Sequence, residues 1–266
     1  MDYSTDRRKM ERGWTTMRLT GNTMLVTGGG SGIGRALAEA FHRMGNTVII
    51  SGRRRALLDA TTAANPGMHA VELDVEDPAS IAKVAAELTA KFPALNVLIN
   101  NAGIMRMDDA SATIDDEVLV STVTTNLLGP IRMTSALIEH FKGLDVAAVI
   151  NVTSGLAFTP LAMTSVYSAT KAALHSYTLS LRYKLKGSSV SVLELAPPYV
   201  QTDLMGGADD PRAMKLDAFI AETMVLLAQE SEEVLVERVK PLRNNAGPKE
   251  ALFVNQFNDM MAQPGH

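Results

Sequence analysis

The feature that most constrains the fold is a regular alternation of short apolar runs with helical patterns. The apolar runs are rich in β-branched residues and cover residues 23–27, 47–51, 69–73, 96–100, 147–152 and 190–195. Helical patterns lie between them, at residues 33–44, 55–63, 78–91, 113–141 and 164–186. Strands that are apolar throughout are typical of a parallel sheet covered by helices on both faces. The sequence therefore predicts an α/β fold with a doubly wound parallel sheet of the Rossmann type.

The pattern contains no convincing linker, so residues 17–266 are interpreted as a single domain. Residues 1–16 are polar and carry both charge signs, and we expect them to form a flexible N-terminal extension. After the last apolar run, two further helical patterns cover residues 212–229 and 231–242. They predict a C-terminal helical lid, around residues 203–242, over a ligand bound at the carboxyl ends of the strands.

Composition excludes several classes of protein. The chain has 266 residues, is 46% hydrophobic and carries a net charge of −4, which argues against a nucleic-acid binder. It has no cysteine, so disulfides and thiolate chemistry are excluded, and its histidines show no metal-ligand spacing. No apolar run reaches the roughly 18 residues of a membrane helix. We expect a cytoplasmic protein without a metal site or a membrane segment.

A glycine-rich stretch, TGGGSGIG at residues 27–34, joins the first apolar run to the first helical pattern. It fits neither Gly-x-Gly-x-x-Gly nor the triphosphatase loop, because Arg35 follows where the latter requires lysine. Its spacing is Gly28-x-x-x-Gly32-x-Gly34. Glycines allow a sharp turn, and a helix N-terminus attracts anions. The stretch therefore favours a phosphate-binding loop, with a purely structural turn as the alternative.

The end of the second strand indicates which dinucleotide is preferred. A free ribose 2′-hydroxyl group calls for a carboxylate at this point, whereas a 2′-phosphate calls for a cation. Here neither Ser51 nor Gly52 is acidic, and Arg53 follows directly. The strand end favours NADP(H), and NAD(H) is less consistent with it. The alternative is that Arg53 and its two arginine neighbours only solvate the start of a helix.

A tyrosine and a lysine lie one helical turn apart in YSATK, at residues 167–171. A free phenol has a pKa of about 10, and a neighbouring ammonium group lowers it toward neutral pH. Ser154 lies just after the fifth strand, at the same edge of the sheet. Tyr167 and Lys171 alone are typical of an ordinary surface pair. Together with Ser154 and the glycine loop, they indicate acid–base chemistry beside a dinucleotide.

With these motifs in this order, residues 18–205 resemble the short-chain dehydrogenase/reductase family. The glycine loop resembles the coenzyme loop of that family, LDV carries Asp74 at its adenine-binding position, and NNAG occupies residues 100–103. Asn126, Ser154, Tyr167 and Lys171 match its catalytic residues. The resemblance implies a cofactor site formed by Gly28, Gly30, Ser31, Gly32, Ile33, Arg53, Asp74, Val75, Asn101, Ala102, Gly103, Tyr167, Lys171, Pro197, Val200 and Thr202.

The resemblance also implies the reaction, which is hydride transfer between nicotinamide and a carbonyl or alcohol carbon. Tyr167 would exchange a proton with the substrate oxygen and Ser154 would polarise that oxygen. Lys171 would lower the tyrosine pKa and bind the nicotinamide ribose, while Asn126 would hold a water in a proton relay. We expect an NADP(H)-dependent carbonyl reductase acting on a ketone, an aldehyde or a secondary alcohol. The alternatives are an NAD(H)-linked alcohol dehydrogenase and a dinucleotide sensor without turnover.

Apolar side chains flank the expected cleft, which favours a largely apolar substrate; the alternative is that they belong to the ordinary core. These are Met105, Leu156, Phe158, Met163, Tyr199 and Met205. One carboxylate, Glu194, stands within an apolar strand and needs a partner, for which we expect a lysine or an arginine.

Two features depart from the family pattern. Pro198 stands where glycine is usual, which stiffens the loop and is expected to move Tyr199 toward the substrate. Residues 243–266 lack the Gly-Gly strand signature that serves tetramer contacts. We therefore expect a homodimer, formed through the helices at 113–141 and 164–186, and leave a tetramer open.

Overall fold

A seven-stranded sheet forms the centre of the protein, in the strand order β3-β2-β1-β4-β5-β6-β7 with every pair parallel. The computed structural model describes residues 17–205 and 210–263. The predicted extension at residues 1–16 and the stretch 206–209 of the predicted lid lie outside the described residues. The doubly wound parallel sheet predicted from the sequence is confirmed.

The strands match the apolar runs of the sequence closely. They are β1 (Thr23–Thr27), β2 (Thr47–Gly52), β3 (His69–Glu72), β4 (Leu95–Asn100), β5 (Ala147–Val152), β6 (Val190–Leu195) and β7 (Glu233–Val234). The strand order reverses between β1 and β4, so a crevice opens at their carboxyl ends. Ligands of doubly wound sheets bind at this point, and the predicted site residues follow these strands.

Helices cover both faces of the sheet. They are α1 (Gly32–Arg43), α2 (Arg55–Ala64), α3 (Pro78–Lys91), α4 (Asp116–Val123), α5 (Gly129–Lys142), α6 (Ser165–Lys184), α7 (Leu216–Leu227), α8 (Lys240–Arg243) and α9 (Glu250–Ala262). Successive strand side chains point to opposite faces, so Met24 and Val26 join one buried core and Leu25 joins the other. Phe41 and Phe219 fill the first core and Phe141 fills the second.

The predicted helix at 113–141 is interrupted. A π-helical turn over Thr124–Leu128 separates α4 from α5. Such turns insert one extra residue into a helix and occur often at functional sites. Periodicity alone did not reveal the interruption, because a π turn shifts the apolar pattern by only one position.

The predicted helix at 231–242 is wrong. This segment contains the short strand β7, a 3-10 turn over Glu237–Val239 and the start of α8. Glu233 and Val234 pair with Glu194 and Leu195 of β6, which adds a strand to the sheet in place of a helix. The helix predicted at 212–229 is confirmed as the shorter α7, whereas α9 was not predicted. None of the helices in the described ranges combines the length and the apolar character needed to span a membrane.

Candidate active site

The glycine loop after β1 turns tightly because its backbone needs positive φ angles. Gly28 has φ +66° and Gly32 has φ +52°, a region that other residues rarely adopt. A Cβ atom at Gly28 would lie 2.9 Å from the Cα atom of Ala102, and one at Gly29 would lie 2.6 Å from a methyl carbon of Ile50. The loop therefore packs closely on β2 and on the segment after β4. Gly29 is therefore needed for this packing as well as for the room that it leaves for a ligand.

The N-terminus of α1 is arranged to bind an anion. The first N–H groups of a helix have no partner within the helix, and the Ser31 side chain caps none of them. A Cβ atom at Gly32 would meet only the Thr202 side chain, at 3.6 Å, so the loop is open toward the segment after β6. These observations fit a dinucleotide pyrophosphate lying between the two segments.

The three arginines after β2 have different hydrogen-bond partners. Arg53 donates to the Glu76 carboxylate at 2.8 Å, and Arg55 pairs with Asp59 within α2. Arg54 donates to the Ser31 hydroxyl group at 2.8 Å, so its guanidinium group lies beside the glycine loop. Arg53, the cation predicted from the sequence, is thus paired with Glu76, whereas Arg54 contacts the glycine loop.

The remaining cofactor-side residues follow β3 and β4. Asp74 accepts a hydrogen bond from the backbone N–H of Glu76 at 3.0 Å, and Val75 is buried. The Thr27 hydroxyl group accepts hydrogen bonds from the N–H groups of both Asn101 and Ala102, each at 3.0 Å. The NNAG motif is therefore fixed to the end of β1, at the start of the glycine loop.

Gly103 leaves space at the centre of the crevice. A Cβ atom there would lie 3.2 Å from the Asn126 carboxamide oxygen and 3.7 Å from the Lys171 ammonium group. Glycine at this position keeps open a space whose walls are two of the predicted catalytic residues. A nicotinamide ribose, which binds through hydroxyl groups, fits the polar character of those walls.

The structure brings Ser154, Tyr167 and Lys171 together at the carboxyl end of β5, all of them buried. The Ser154 hydroxyl group lies close enough to the Tyr167 hydroxyl group to influence its protonation, and it accepts the backbone N–H of Leu156 at 3.1 Å. The Lys171 ammonium group donates to the carbonyl oxygen of Val152 at 2.8 Å and lies 5.6 Å from the centre of the Tyr167 ring. Because Val152 ends β5, this bond fixes α6 to the strand that leads into Ser154.

Burial dominates the acid–base properties of this group. It raises the pKa of Tyr167 to about 12, although the neighbouring Ser154 hydroxyl group acts in the opposite direction. Burial also lowers the pKa of Lys171 to about 8. Burial, partly offset by Ser154, sets this shift in the pKa of Tyr167 rather than Lys171, and the effect of Lys171 on the phenol stays a prediction. A protonated Tyr167 is suited to donate a proton rather than to accept one.

Asn126 lies on the π turn and is fully buried. Its carboxamide oxygen accepts the N–H of Ile104 at 2.9 Å, and its amide group donates to the Ile104 carbonyl at 2.8 Å. A further donation reaches the Thr170 hydroxyl group at 3.2 Å. Asn126 thus holds the segment after NNAG against α6, next to Lys171.

The loop after β6 forms another wall of the site. The Pro197 carbonyl accepts the N–H of Gly155 at 2.8 Å, and Val200 is buried. The Tyr199 hydroxyl group donates to Asp210 at 3.3 Å. The Tyr199 hydroxyl group is therefore bound within its own loop. The sequence instead predicts that Pro198 moves Tyr199 toward the substrate.

The apolar side chains expected to flank the cleft lie in different surroundings. Met105, Leu156 and Met163 are half-buried, as a cleft lining requires. The Phe158 ring instead packs edge-on against His175 at 4.9 Å and against the Arg243 guanidinium group at 4.8 Å. The Met205 side chain lies outside the described part of the structure.

The partner of Glu194 is not the expected lysine or arginine. Its carboxylate is fully buried and accepts from the Thr153 hydroxyl group at 2.6 Å and from His175 Nδ1 at 2.7 Å. His175, Glu194 and Glu233 form the one group in residues 17–205 and 210–263 whose atoms are close enough to hold a metal ion. Arg243 binds Glu233 through two hydrogen bonds of 2.9 and 3.0 Å, so a guanidinium group already supplies positive charge there.

Comparison with known proteins places this architecture in a family. Residues 22–213 match the model of the short chain dehydrogenase family. The chain is 38% identical over 234 residues to the uncharacterized oxidoreductase DltE of Bacillus subtilis, covering 86% of this chain and 93% of that protein. It is 32% identical over 189 residues to the NADP-dependent 3-hydroxy acid dehydrogenase YdfG of Shigella flexneri, covering 70% and 73%.

A solved structure supports the same assignment. The short-chain dehydrogenase from Sphingobium yanoikuyae, in complex with NADPH, superposes with a TM-score of 0.75 at 25% identity, covering 92% of this chain and 96% of that one. The protein belongs to the short-chain dehydrogenase/reductase family, and it is an oxidoreductase by that membership.

Proposed function

We propose that the protein is an NADP(H)-dependent carbonyl reductase that acts on a ketone or an aldehyde, or on a secondary alcohol in the reverse direction. The observation that carries the proposal is the burial of Ser154, Tyr167 and Lys171 side by side, with the Lys171 ammonium group 5.6 Å from the centre of the Tyr167 ring. A bound nicotinamide ring supplies the hydride chemistry, which no side chain can provide.

The proton is handled by the residues of the chain. Tyr167, whose pKa burial raises to about 12, carries a proton at neutral pH and donates it to the developing alkoxide. The Ser154 hydroxyl group donates a hydrogen bond to the same oxygen and polarises it before reaction. The Lys171 ammonium group stabilises the phenolate that remains when the proton has left. It is held in place by its bond to the carbonyl of Val152.

The cofactor preference rests on the cations at the end of β2. Arg54 lies beside the glycine loop, and Arg53 is held nearby by Glu76. Guanidinium groups bind a phosphate through paired hydrogen bonds. The NADP-dependent relative and the NADPH-bound neighbour support the same choice. NAD(H)-linked alcohol dehydrogenation is the alternative. The NADP(H)-dependent function predicts that the preference for NADPH over NADH is lost when these arginines are removed.

A non-catalytic dinucleotide sensor is the second alternative. It would keep the cofactor crevice without needing Ser154, Tyr167 and Lys171 together, so the presence of all three buried side chains argues against it. The predicted homodimer is supported by apolar side chains exposed on α4 and α6, namely Val120, Leu179 and Tyr183. Dimer formation and cytoplasmic localisation stay predictions.

The first test is oxidation of NADPH by the protein with a panel of ketones and aldehydes. We expect Tyr167→Phe to lower kcat by at least about 100-fold while NADPH binding stays unchanged, because only the proton donor is lost. Tyr183→Phe is the matched control, since Tyr183 lies on the same helix and is exposed. Tight NADPH binding without turnover of any carbonyl by the unaltered protein would favour the sensor.

Removing Arg54 is expected to affect the two cofactors differently. Arg54→Ala should raise the Kd of NADPH by about 10- to 100-fold, which corresponds to loss of a charged hydrogen bond, and should leave the Kd of NADH almost unchanged. We expect Arg53→Ala to act in the same direction. Arg55→Ala is the control, because Arg55 pairs with Asp59 within α2. Equal losses for both cofactors would refute the phosphate-binding role.

Lys171 gives the reaction a predicted pH dependence. Its pKa of about 8 means that the cation is lost as the pH rises through that value, while Tyr167 is still protonated. The kcat/KM for ketone reduction should therefore be level below pH 8 and fall about tenfold per pH unit above it. In Lys171→Arg the guanidinium group stays charged, so the fall should move to much higher pH. If the pH dependence of kcat/KM in that variant is unchanged, the fall at high pH belongs to a titrating group other than Lys171.

A further inference from the structure

The buried carboxylate of Glu194 has no part in the proton transfer, yet both of its partners adjoin the catalytic residues. Glu194 lies near the end of β6 and is fully buried. One carboxylate oxygen accepts the Thr153 hydroxyl group at 2.6 Å, and the other lies 2.7 Å from His175 Nδ1. Thr153 directly precedes Ser154, and His175 lies on α6, about two turns after Tyr167. A carboxylate inside the protein requires such partners, so Glu194 joins the two segments that carry the catalytic hydroxyl groups.

Thr153 is held at two points. Its N–H donates to the carbonyl oxygen of Leu195 at 2.8 Å, which continues the pairing of β5 with β6 by one residue. Its hydroxyl group donates to Glu194, and the whole residue is buried. Ser154 follows with an extended backbone, φ −170° and ψ 158°, and successive side chains of an extended chain point to opposite sides. The bond from Thr153 to Glu194 therefore anchors the end of the strand on the side away from the Ser154 hydroxyl group.

The chain is also held after Ser154, at Phe158. The Phe158 ring packs edge-on against the His175 ring, with the ring centres 4.9 Å apart. The Arg243 guanidinium group lies 4.8 Å from the centre of the same phenyl ring. The histidine that binds Glu194 thus also contacts the turn that follows Ser154, so the chain is fixed on both sides of the catalytic serine.

A second set of contacts holds this turn without Glu194. A Cβ atom at Gly155 would lie 2.7 Å from a methyl carbon of Leu242 and 2.8 Å from one of Val239, so the segment that leads into α8 packs directly on the turn. The Thr159 hydroxyl group donates to the carbonyl oxygen of Leu242 at 3.1 Å. Loss of the hydroxyl group of Thr153 therefore leaves the turn in place, and we expect a small displacement rather than unfolding.

We propose that Glu194 is a positioning residue for carbonyl reduction, because through Thr153 and His175 it holds the Ser154 hydroxyl group where the substrate oxygen is polarised. The inference rests on the proposed function and adds a residue to its site. A donor stabilises the developing charge only at the correct distance, and a displacement of about 1 Å can lower the rate about 100-fold. Glu194 itself does not touch the reacting atoms, since its two oxygens are bound by Thr153 and His175.

The test removes the Thr153 hydroxyl group with and without Ser154, at saturating NADPH, with the ketone that the unaltered protein reduces fastest. We expect Thr153→Val to lower kcat about tenfold and to leave the KM and the Kd of NADPH nearly unchanged. Thr153→Ser keeps the donor to Glu194 and should retain most of the rate. When Ser154 is already alanine, Thr153→Val should cause no further loss, because no hydroxyl group is left to misplace. Thr61→Val is the matched control, since Thr61 is fully buried on α2 and donates within its own helix.

Two variants of Glu194 separate its contacts from its charge. Glu194→Gln keeps an acceptor for Thr153 and supplies a donor to His175, so it should retain most of the kcat. Glu194→Leu keeps a similar volume but neither hydrogen bond, and it should lower kcat as Thr153→Val does. If Glu194→Leu does not fold, the comparison of Thr153→Val with and without Ser154 decides the proposal.

The outcomes separate this proposal from the proposed function. If the unaltered protein oxidises NADPH with no carbonyl, the proposed function fails, and the positioning role fails with it. If the protein reduces a ketone and Thr153→Val keeps the kcat of the Thr61→Val control, only the positioning role fails. A loss of kcat that persists when Ser154 is already alanine would show that Thr153 does not act through Ser154, which also overturns the proposal.

Discussion

Lys171 brings an amine into the interior of the protein, where its ammonium group donates to the carbonyl oxygen of Val152 at 2.8 Å. This bond connects the middle of α6 to the last residue of β5. It thereby fixes Tyr167, one turn earlier on α6, against Ser154, two residues after Val152. The low pKa of Lys171, about 8, is the consequence of burying the amine to reach that position. One contact between a helix and a strand thus fixes the positions of Tyr167 and Lys171.

The cofactor side depends on the same edge of the sheet. The Thr27 hydroxyl group, at the end of β1, holds the segment after β4, and Asn126 holds the next part of that segment against α6. Glycines 28 and 103 keep this region open, because a side chain at either would meet neighbouring atoms. The crevice between β1 and β4 is therefore lined by the glycine loop on one side and by the catalytic residues on the other.

Much of this arrangement followed from the sequence. The sheet was predictable because buried parallel strands are apolar throughout, and the approach of Lys171 to Tyr167 because the two residues lie one helical turn apart. The partner of Glu194 was not predictable, since His175 reaches it only through the packing of α6 on β6. Likewise, the roles of Arg53 and Arg54 depend on Glu76 and Ser31, which are distant in sequence. Strand β7 was missed because its two residues are too few to show alternation.

The proposed function requires that a hydride passes from the cofactor to a carbonyl carbon at this site. The most direct test is reduction of a ketone with NADPH deuterated at nicotinamide C4, on the transferred face, followed by mass spectrometry of the alcohol. We predict one deuterium on the carbinol carbon for each cofactor oxidised, and labelled alcohol that forms at least about 100-fold more slowly when Tyr167 is replaced by phenylalanine. Bound cofactor with no deuterium in any product would contradict the claim and leave a nucleotide-binding protein without this chemistry.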